Sequence, residues 1–226
     1  MRVMKLNRIN EINEIQKMGI RERKEREKER RRQQIIVAAK RIFANKGFGR
    51  ATMEDIANEA ELSPGTLYLY FRSKDELCVS LSLRVLEYLL IRMEHLNGDH
   101  QIGPEDKISQ LKKALLDVYE FDPLILTNFF YLQSNDAMTS LSAELKNEID
   151  NLCSASLEKI ASILQSAIAH GQCSDLPPAT LAKIAWAMFY GIVLWEKGST
   201  GSEPDVVSLE PLMDRAFTVF ERGIRV

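Results

Sequence analysis

The chain has 226 residues, of which 45% are hydrophobic, enough for one large domain or for a small domain joined to a larger one. No run of about 18 apolar residues occurs, and no apolar signal segment follows the charged N-terminus, so we expect a cytoplasmic protein without membrane contact. Residues 1–32, 33–76 and 77–226 carry net charges of +6, 0 and −8. This distribution predicts a protein with one end that binds a polyanion.

Cysteine, histidine and acidic residues give no sign of a reactive centre. Cys78, Cys153 and Cys173 are far apart and form no CxxC pair, so we expect small buried apolar side chains rather than disulfides or a zinc site. The sequence also lacks a phosphate-binding loop, a nucleophile–histidine–acid grouping, and paired carboxylates in an apolar setting. We therefore expect no metal, no cofactor and no catalytic activity.

Apolar residues recur at helical spacing along nearly the whole chain, and strand-like alternation is absent, so the sequence predicts an all-α fold of about nine helices. Prolines stand where helices should begin or end. We divide the chain into a basic N-terminal arm (1–30), a small domain of three helices (31–78), and a larger helical domain (79–226).

The arm is dense in charge from Glu22 to Arg32. Glu22 and Arg26, like Glu27 and Arg31, are four residues apart, a spacing that would let the arm extend the first helix. Two interpretations stay open. The arm is either a solvated tail or a basic segment that lies along DNA.

The sequence of residues 32–74 predicts the beginnings of four helices. The first core helix should run from Arg32 to Asn45 and end at Gly47. A short second helix, Met53–Ala60, has Thr52 as N-cap and Asp55 placed close to a capping box. A third opens at Ser63 with Pro64 in its first helical position, and a fourth runs from Lys74 towards His95. The two short helices and their tight turn make a helix-turn-helix, whose second helix enters the major groove of DNA.

The larger domain (79–226) should contain five longer helices, separated by loops rich in glycine, proline and aspartate. The predicted segments are Glu105–Glu120, Pro123–Ser134, Thr139–His170, Pro178–Lys197 and Asp205–Arg222.

The second helix of the helix-turn-helix has side chains suited to a groove lined by phosphates. Gly65 lets the backbone approach closely, Thr66 can contact a base edge or a methyl group, and the hydroxyls of Tyr68 and Tyr70 can reach phosphates. Lys74 adds a cation at the rim. We expect Lys74→Ala to weaken binding to all DNA sequences and to lower the salt slope by about one.

The stretches Ala51–Ala57 and Gly65–Leu77, together with Ala39–Phe43 and the following Lys46-Gly47-Phe48, closely resemble the TetR family of bacterial regulators. The resemblance implies phosphate contacts by Thr52, Tyr68 and Lys74, and a base or phosphate contact by Thr66. It places Pro64, Gly65 and Tyr70 at positions that read bases or line the groove. The candidate DNA-binding residues are therefore Thr52, Ser63, Pro64, Gly65, Thr66, Tyr68, Tyr70 and Lys74.

Glu61 departs from this pattern. Members of the family often have glycine at the position just after the second helix, where a left-handed residue ends the helix. Glutamate in that conformation would be strained by roughly 1 kcal/mol. The departure affects the detailed shape of the turn rather than its existence.

The last two predicted helices, Pro178–Lys197 and Asp205–Arg222, have apolar side chains on more than one face. Packing inside a single subunit would not bury all of these faces. We expect one face of each to pack inside the subunit and another to pack against a second copy, as TetR-like regulators dimerise through four helices. A two-fold homodimer would read the two half-sites of an inverted repeat in double-stranded DNA. The candidate interface residues are Leu181, Ile184, Met188, Ile192, Leu212, Phe217 and Phe220.

Aromatic and amide side chains of the body could line an apolar effector pocket, although they could equally be plain core. The candidates are Phe121, Asn128, Phe129, Tyr131, Gln133, Trp186 and Tyr190. The resemblance implies a small apolar or aromatic effector that releases a repressor from its operator. The alternative is a DNA-binding protein of the same fold without such a ligand, which organises DNA or senses a protein.

Overall fold

The computed structural model describes residues 2–134, 136–168, 176–199 and 209–224, with side chains described from residue 21 to residue 196 within those ranges and again from 209. Every regular element in these residues is helical, as the sequence predicts. The chain divides into two compact units, 1–77 and 78–226, which we call the head and the body.

The head is built on one long helix. Helix α1 spans Arg2–Lys46, so the predicted arm and the first core helix are continuous. Ion pairs between Glu27 and both Arg30 (2.9 Å) and Arg31 (3.4 Å) support its exposed half. Helices α2 (Met53–Glu59) and α3 (Pro64–Tyr68) follow, and α4 (Lys74–Gly98) begins in the head. Ile35, Ala39, Phe43, Ile56, Leu67 and Phe71 are buried at the centre of the head.

Side chains close the ends of the head's helices. Gly47 ends α1 with a positive φ of 77°, which glycine adopts without steric cost. Thr52 accepts a hydrogen bond from the Asp55 amide, and the Asp55 carboxylate accepts one from the Thr52 amide, which confirms the predicted capping box. Ser63 caps α3, and Pro64 occupies its first turn.

The turn between α2 and α3 has a left-handed residue at Glu61, whose φ is 54°. The amide of Leu62 donates to the carbonyl of Ala57, and the amide of Glu61 donates to that of Asn58. These are the two hydrogen bonds of a Schellman motif, which satisfies carbonyls that the helix end leaves free. The strained glutamate predicted from the sequence is confirmed, and the turn keeps its usual shape.

The body contains five further helices among the described residues. They are α5 (Lys107–Phe121), α6 (Pro123–Gln133), α7 (Ala143–Ile168), α8 (Pro178–Ser199) and α9 (Leu209–Ile224). Helix α7 begins later than predicted because a 3₁₀ turn, Asp136–Ser140, precedes it. Predicted helical residues 169–170 and 205–208 lie outside the described residues.

Helix α8 lies at the centre of the body's packing, in contact with α6, α7 and α9. On α6, Phe130 is fully buried against the rings of Trp186, Phe189 and Tyr190, whose centroids lie 5.6, 5.8 and 4.7 Å away. Aromatic clusters of this kind stabilise a core through both area and ring geometry.

By length and composition α8 is also the one described helix that could cross a membrane, over Pro178–Glu196, with a mean hydropathy of 1.3. Core helices of soluble proteins have the same character. Only 28% of that window is buried within the chain, so a large apolar face of α8 remains uncovered by the described residues.

Candidate nucleic-acid interface

Helix α3 has one buried side and one outward side. Leu67 and, just beyond the helix, Phe71 are 0% and 1% exposed and hold it against the head's core. Gly65, Tyr68 and Leu69, spaced by three and then one, lie on the outward side and are exposed. The outward surface therefore combines bare backbone at Gly65, a phenol, and an apolar side chain.

Glycine at position 65 is not required by the head itself. A Cβ atom added there would meet nothing closer than the Ser63 hydroxyl, at 4.0 Å. Glycine in a helix is less favourable than alanine by about 1 kcal/mol. Open space on the exposed side of the helix allows another molecule to approach the backbone closely.

Two hydroxyl groups stand at the start of α3. The Ser63 hydroxyl accepts a hydrogen bond from the Thr66 amide at 3.2 Å, and the hydroxyl oxygens of Ser63 and Thr66 are 2.8 Å apart. Because one of the two hydroxyl protons is used between them, the other remains available to donate outward. Ser63 and Pro64 are exposed and Thr66 is half-buried, so all three border the outward surface.

Thr52 is exposed at the start of α2, where its hydroxyl oxygen accepts from the Asp55 amide while its proton stays free to donate. The Lys46 ammonium lies 2.6 Å from Asp55. Hydrogen bonds from Lys46 first, and then from Thr52, hold the pKa of Asp55 below its ordinary value. Asp55 is therefore ionised at neutral pH, and the capping geometry that positions Thr52 is maintained.

Lys74 has partners inside the head. Its ammonium donates to the carbonyl oxygens of Phe48, Gly49 and Ala51 at 3.0, 3.2 and 3.2 Å, and it stands 4.9 Å from the centre of the Phe48 ring. An ammonium has three donors, so all are engaged with the loop between α1 and α2. Lys74 thus fixes that loop, a role the sequence did not suggest, and a phosphate would have to share these donors.

Tyr70 lies outside α3, which ends at Tyr68. It is half-buried in the turn towards α4 and lines a groove shared with α1, whereas Tyr68 is 49% exposed. The two tyrosines therefore occupy different surfaces.

The sequence reasoning missed Leu69, which is 82% exposed and stands beside Tyr68. A leucine between two tyrosines in a helical pattern is ordinarily assigned to the core. The signal that could have found it is its position, two residues after the buried Leu67, which turns it away from the core.

The predicted effector residues do not share one place in the body. Trp186 and Tyr190 meet at Phe130, where the Tyr190 hydroxyl donates to the Phe130 carbonyl at 2.8 Å and burial raises the pKa of Tyr190. Asn128 and Phe129 are buried in α6, and Gln133 is half-buried at its end. Phe121 and Tyr131 are exposed, and Phe121 stacks on Tyr88 at 4.5 Å. The two exposed rings are therefore surface residues in this structure.

The predicted dimer residues also separate into two sets. Leu181, Phe217 and Phe220 are buried inside the body, so they belong to the subunit core and not to an outward face. The α8 residues facing inward are Leu181, Ala182, Ala185, Phe189 and Val193. An outward groove of about 520 Å³ is lined by Ala187, Met188, Gly191, Ile192, Trp195, Leu212 and Ala216.

Apolar side chains continue around this outward groove. Trp195 is 72% exposed at one end of it, Val219 on α9 is 71% exposed, and Ile184 is also exposed. We call the groove residues together with Ile184 and Val219 the outward α8–α9 face. Of the predicted interface residues, Ile184, Met188, Ile192 and Leu212 belong to it.

The described residues contain no group of three or more histidine, cysteine or acidic side chains that could hold a metal ion. Cys78 is fully buried, as predicted, while Cys173 lies outside the described residues. Burial, with a smaller effect of Asp150, raises the pKa of Cys153 to about 11, so that thiol stays protonated at neutral pH.

A short helix presented outward from a three-helix core, ahead of a larger helical body, defines the class of helix-turn-helix DNA-binding regulators. Residues 35–81 match the family described as bacterial regulatory proteins, tetR family. This match and the fold support a helix-turn-helix transcriptional regulator of the TetR family. Its relatives and its fold are those of transcriptional regulators rather than of enzymes.

Individual relatives extend the similarity beyond the head. The chain is 29% identical over 170 residues to the uncharacterized HTH-type transcriptional regulator YfiR of Bacillus subtilis, covering 74% of this chain and 80% of the relative. It is 25% identical over 160 residues to the fatty acid metabolism regulator protein of the same organism, covering 71% and 78%. The TetR-family regulator PfmR of Thermus thermophilus shares the fold at 21% identity, with a TM-score of 0.64 and coverage of 84% and 97%.

Proposed function

We propose that this regulator is a homodimeric repressor that binds an inverted repeat in double-stranded DNA and is released by a small apolar effector. The observation that carries the proposal is the outward surface of α3, where exposed Gly65, Tyr68 and Leu69 stand on a helix fixed by buried Leu67. The glycine serves no packing role in the head, which supports close approach by a partner such as the edge of a base pair.

Within this proposal each polar candidate has a defined task. The hydroxyls of Thr52 and Tyr68 donate to phosphates, and those of Ser63 and Thr66 contact the DNA groove at the start of α3. Pro64 and Gly65 bring the backbone near the bases. Leu69 adds an apolar contact suited to a thymine methyl group. Tyr70 and Lys74 border the site.

Dimerisation rests on the outward α8–α9 face. Exposed tryptophan, isoleucine and valine side chains around a groove of about 520 Å³ form a patch that monomeric soluble proteins rarely expose. A second copy is the partner that fits, because a two-fold operation brings the same two helices together as a four-helix interface. A dimer also gives two small heads the combined affinity that one lacks.

The effector would bind in the body and act by population shift. Helix α4 starts in the head and continues through residues of the body, so a ligand that favours one position of α4 would alter the operator-binding state. Typical coupling energies are about 1–3 kcal/mol. The half-buried Trp186 and Tyr190, with apolar neighbours on α6, suit an apolar ligand. Because one relative is a fatty acid metabolism regulator, acyl chains are the first compounds to try.

The test is selection of bound fragments from random duplex DNA, followed by titration of the selected sequences. We expect an inverted repeat bound by a dimer, and release of that DNA by fatty acids or their thioesters. An inverted repeat without release by any small molecule would limit the function to DNA binding. Weak, salt-sensitive binding with no shared sequence would contradict the repressor proposal and favour a protein that organises DNA.

A further inference from the structure

The exposed half of α1 carries eight cations and four carboxylates between residues 21 and 32. In the head, Ile35, Ala38 and Ile42 lie on the buried side of α1 at intervals of three and four. The same intervals, continued towards the N-terminus, reach Arg31, Lys28, Lys24 and Arg21. One edge of the buried side therefore continues as a row of four cations, which we call the cationic stripe. The other edge, formed by Ile36, Ala39 and Phe43, continues as Arg32, Glu29 and Glu25.

The positive charge of the stripe is mostly uncompensated. Among the described residues, Arg21, Lys24 and Lys28 make no ion pair, while Arg31 shares Glu27 with Arg30. The segment between positions 21 and 32 has four acidic residues. Three of them, Glu22, Glu25 and Glu29, form a row on a neighbouring side of the helix. The stripe and this row of carboxylates therefore lie side by side along the helix.

The stripe passes beside the end of the recognition helix. Arg26, Lys28 and Arg32 line a groove of about 580 Å³ with Glu25, Glu29, Leu69 and Tyr70. The Arg32 guanidinium lies 5.1 Å from the centre of the Phe71 ring, which holds this part of α1 against the segment after α3. Lys28 of the stripe, together with Arg26 and Arg32, thus adjoins the surface that carries Leu69.

We propose that the cationic stripe binds the phosphate backbone of duplex DNA beside the half-site that α3 reads. The inference rests on the proposed function for that half-site. Arg21 and Arg31 are separated by about 15 Å along a helix, which spans several successive phosphates. A polyanion with regular spacing matches a row of cations, and duplex DNA is the polyanion already adjacent to the outward surface of α3.

The experiment compares two triple variants of the full-length protein that remove the same charge. Arg21→Gln/Lys24→Gln/Lys28→Gln neutralises the stripe. Arg23→Gln/Arg30→Gln/Arg41→Gln neutralises three cations of α1 that lie about 140° around the helix and do not line the groove. Glutamine keeps a high helix propensity, so both variants should unfold at the temperature of the parent protein.

Binding is measured across a range of salt concentrations on two duplexes. One carries the selected operator with about one helical turn, roughly 10 base pairs, of extra DNA on each side, and the other ends at the operator. We expect the stripe variant to lose roughly tenfold or more in affinity for the longer duplex, with a salt slope lower by about 2 or more. The control variant should lose less than about threefold, and the shorter duplex should bind the parent and the stripe variant alike.

Equal losses in the two variants would overturn the proposal, because net charge alone would then account for binding. Unchanged affinity in the stripe variant, or a difference that persists on the shorter duplex, would overturn it as well. If selection yields no operator, the proposed function fails, and the comparison is made on a duplex of random sequence of about 40 base pairs, or four helical turns. A loss confined to the stripe variant there would still support the phosphate contact.

Discussion

The head and the body expose opposite kinds of surface. The outward side of the head carries glycine, hydroxyl groups and, along α1, cations, whereas the outward α8–α9 face of the body is apolar. Each surface stands on a well-packed core, so neither arises from poor folding. A polar and cationic face suits DNA, and an apolar face suits another protein surface. The comparison suggests two partners for one chain, and four substitutions test it.

The largest effect is expected from Ile192→Glu on the outward α8–α9 face. A carboxylate in an apolar interface would have to be buried without a partner, so the dimer should separate. Operator affinity should then fall by roughly 10²–10⁴-fold, the range by which linked binding modules gain over single ones. Sedimentation velocity gives the mass, and operator titration gives the affinity.

Ile91→Glu is the matched control for this substitution, because Ile91 is a 60% exposed isoleucine on α4. It should leave both mass and affinity unchanged. A dimer that persists in Ile192→Glu, with full operator affinity, would show that the outward α8–α9 face is not the dimer interface.

Gly65→Ala tests the outward side of the head. The added methyl meets open space within the head and favours the helix, so thermal stability should be equal or higher. The same methyl would stand between the backbone and DNA, and operator affinity should fall by about 1–3 kcal/mol. Gly98→Ala, at the end of α4 and also in open space, should change neither property. Full affinity in Gly65→Ala would contradict close approach at this residue.

Lys74→Ala separates a folding role from a DNA role. Loss of three hydrogen bonds from an ammonium should lower the free energy of unfolding by about 1.5–3 kcal/mol in denaturant titration. If Lys74 also contacts a phosphate, the salt slope of DNA binding should fall by about one. An unchanged slope would leave only the loop role. Lys113→Ala, an exposed body lysine on α5, removes the same charge and should alter neither measurement.

The smallest effect is expected from Glu61→Gly. Relief of the left-handed strain should raise the free energy of unfolding by about 1 kcal/mol, while the turn and DNA binding stay as they are. Asn58→Gly, three residues earlier within α2, should instead destabilise the head. A lower stability in Glu61→Gly would show that the glutamate side chain has a compensating contact.

The body shows where sequence reasoning reached its limit. Helical periodicity found α8 and α9 but assigned Leu181, Phe217 and Phe220 to an interface, since every side of these helices looks apolar. Which side turns inward depends on α6 and α7, which are distant in sequence and pack against α8. The residues predicted to line one pocket lie apart for the same reason. Phe121 and Tyr131 are on the outward sides of α5 and α6.

The sequence alone determined the features whose physics is local. Thr52 with Asp55, Ser63 with Pro64, and Gly47 set the helix ends through hydrogen bonds and backbone preferences within a few residues. Tertiary structure alone decided that Lys74 holds the loop of residues 48–51, that Leu69 is exposed, and that α8 turns Trp195 outward. These depend on contacts between segments far apart in the chain, whose geometry no short pattern of residues encodes.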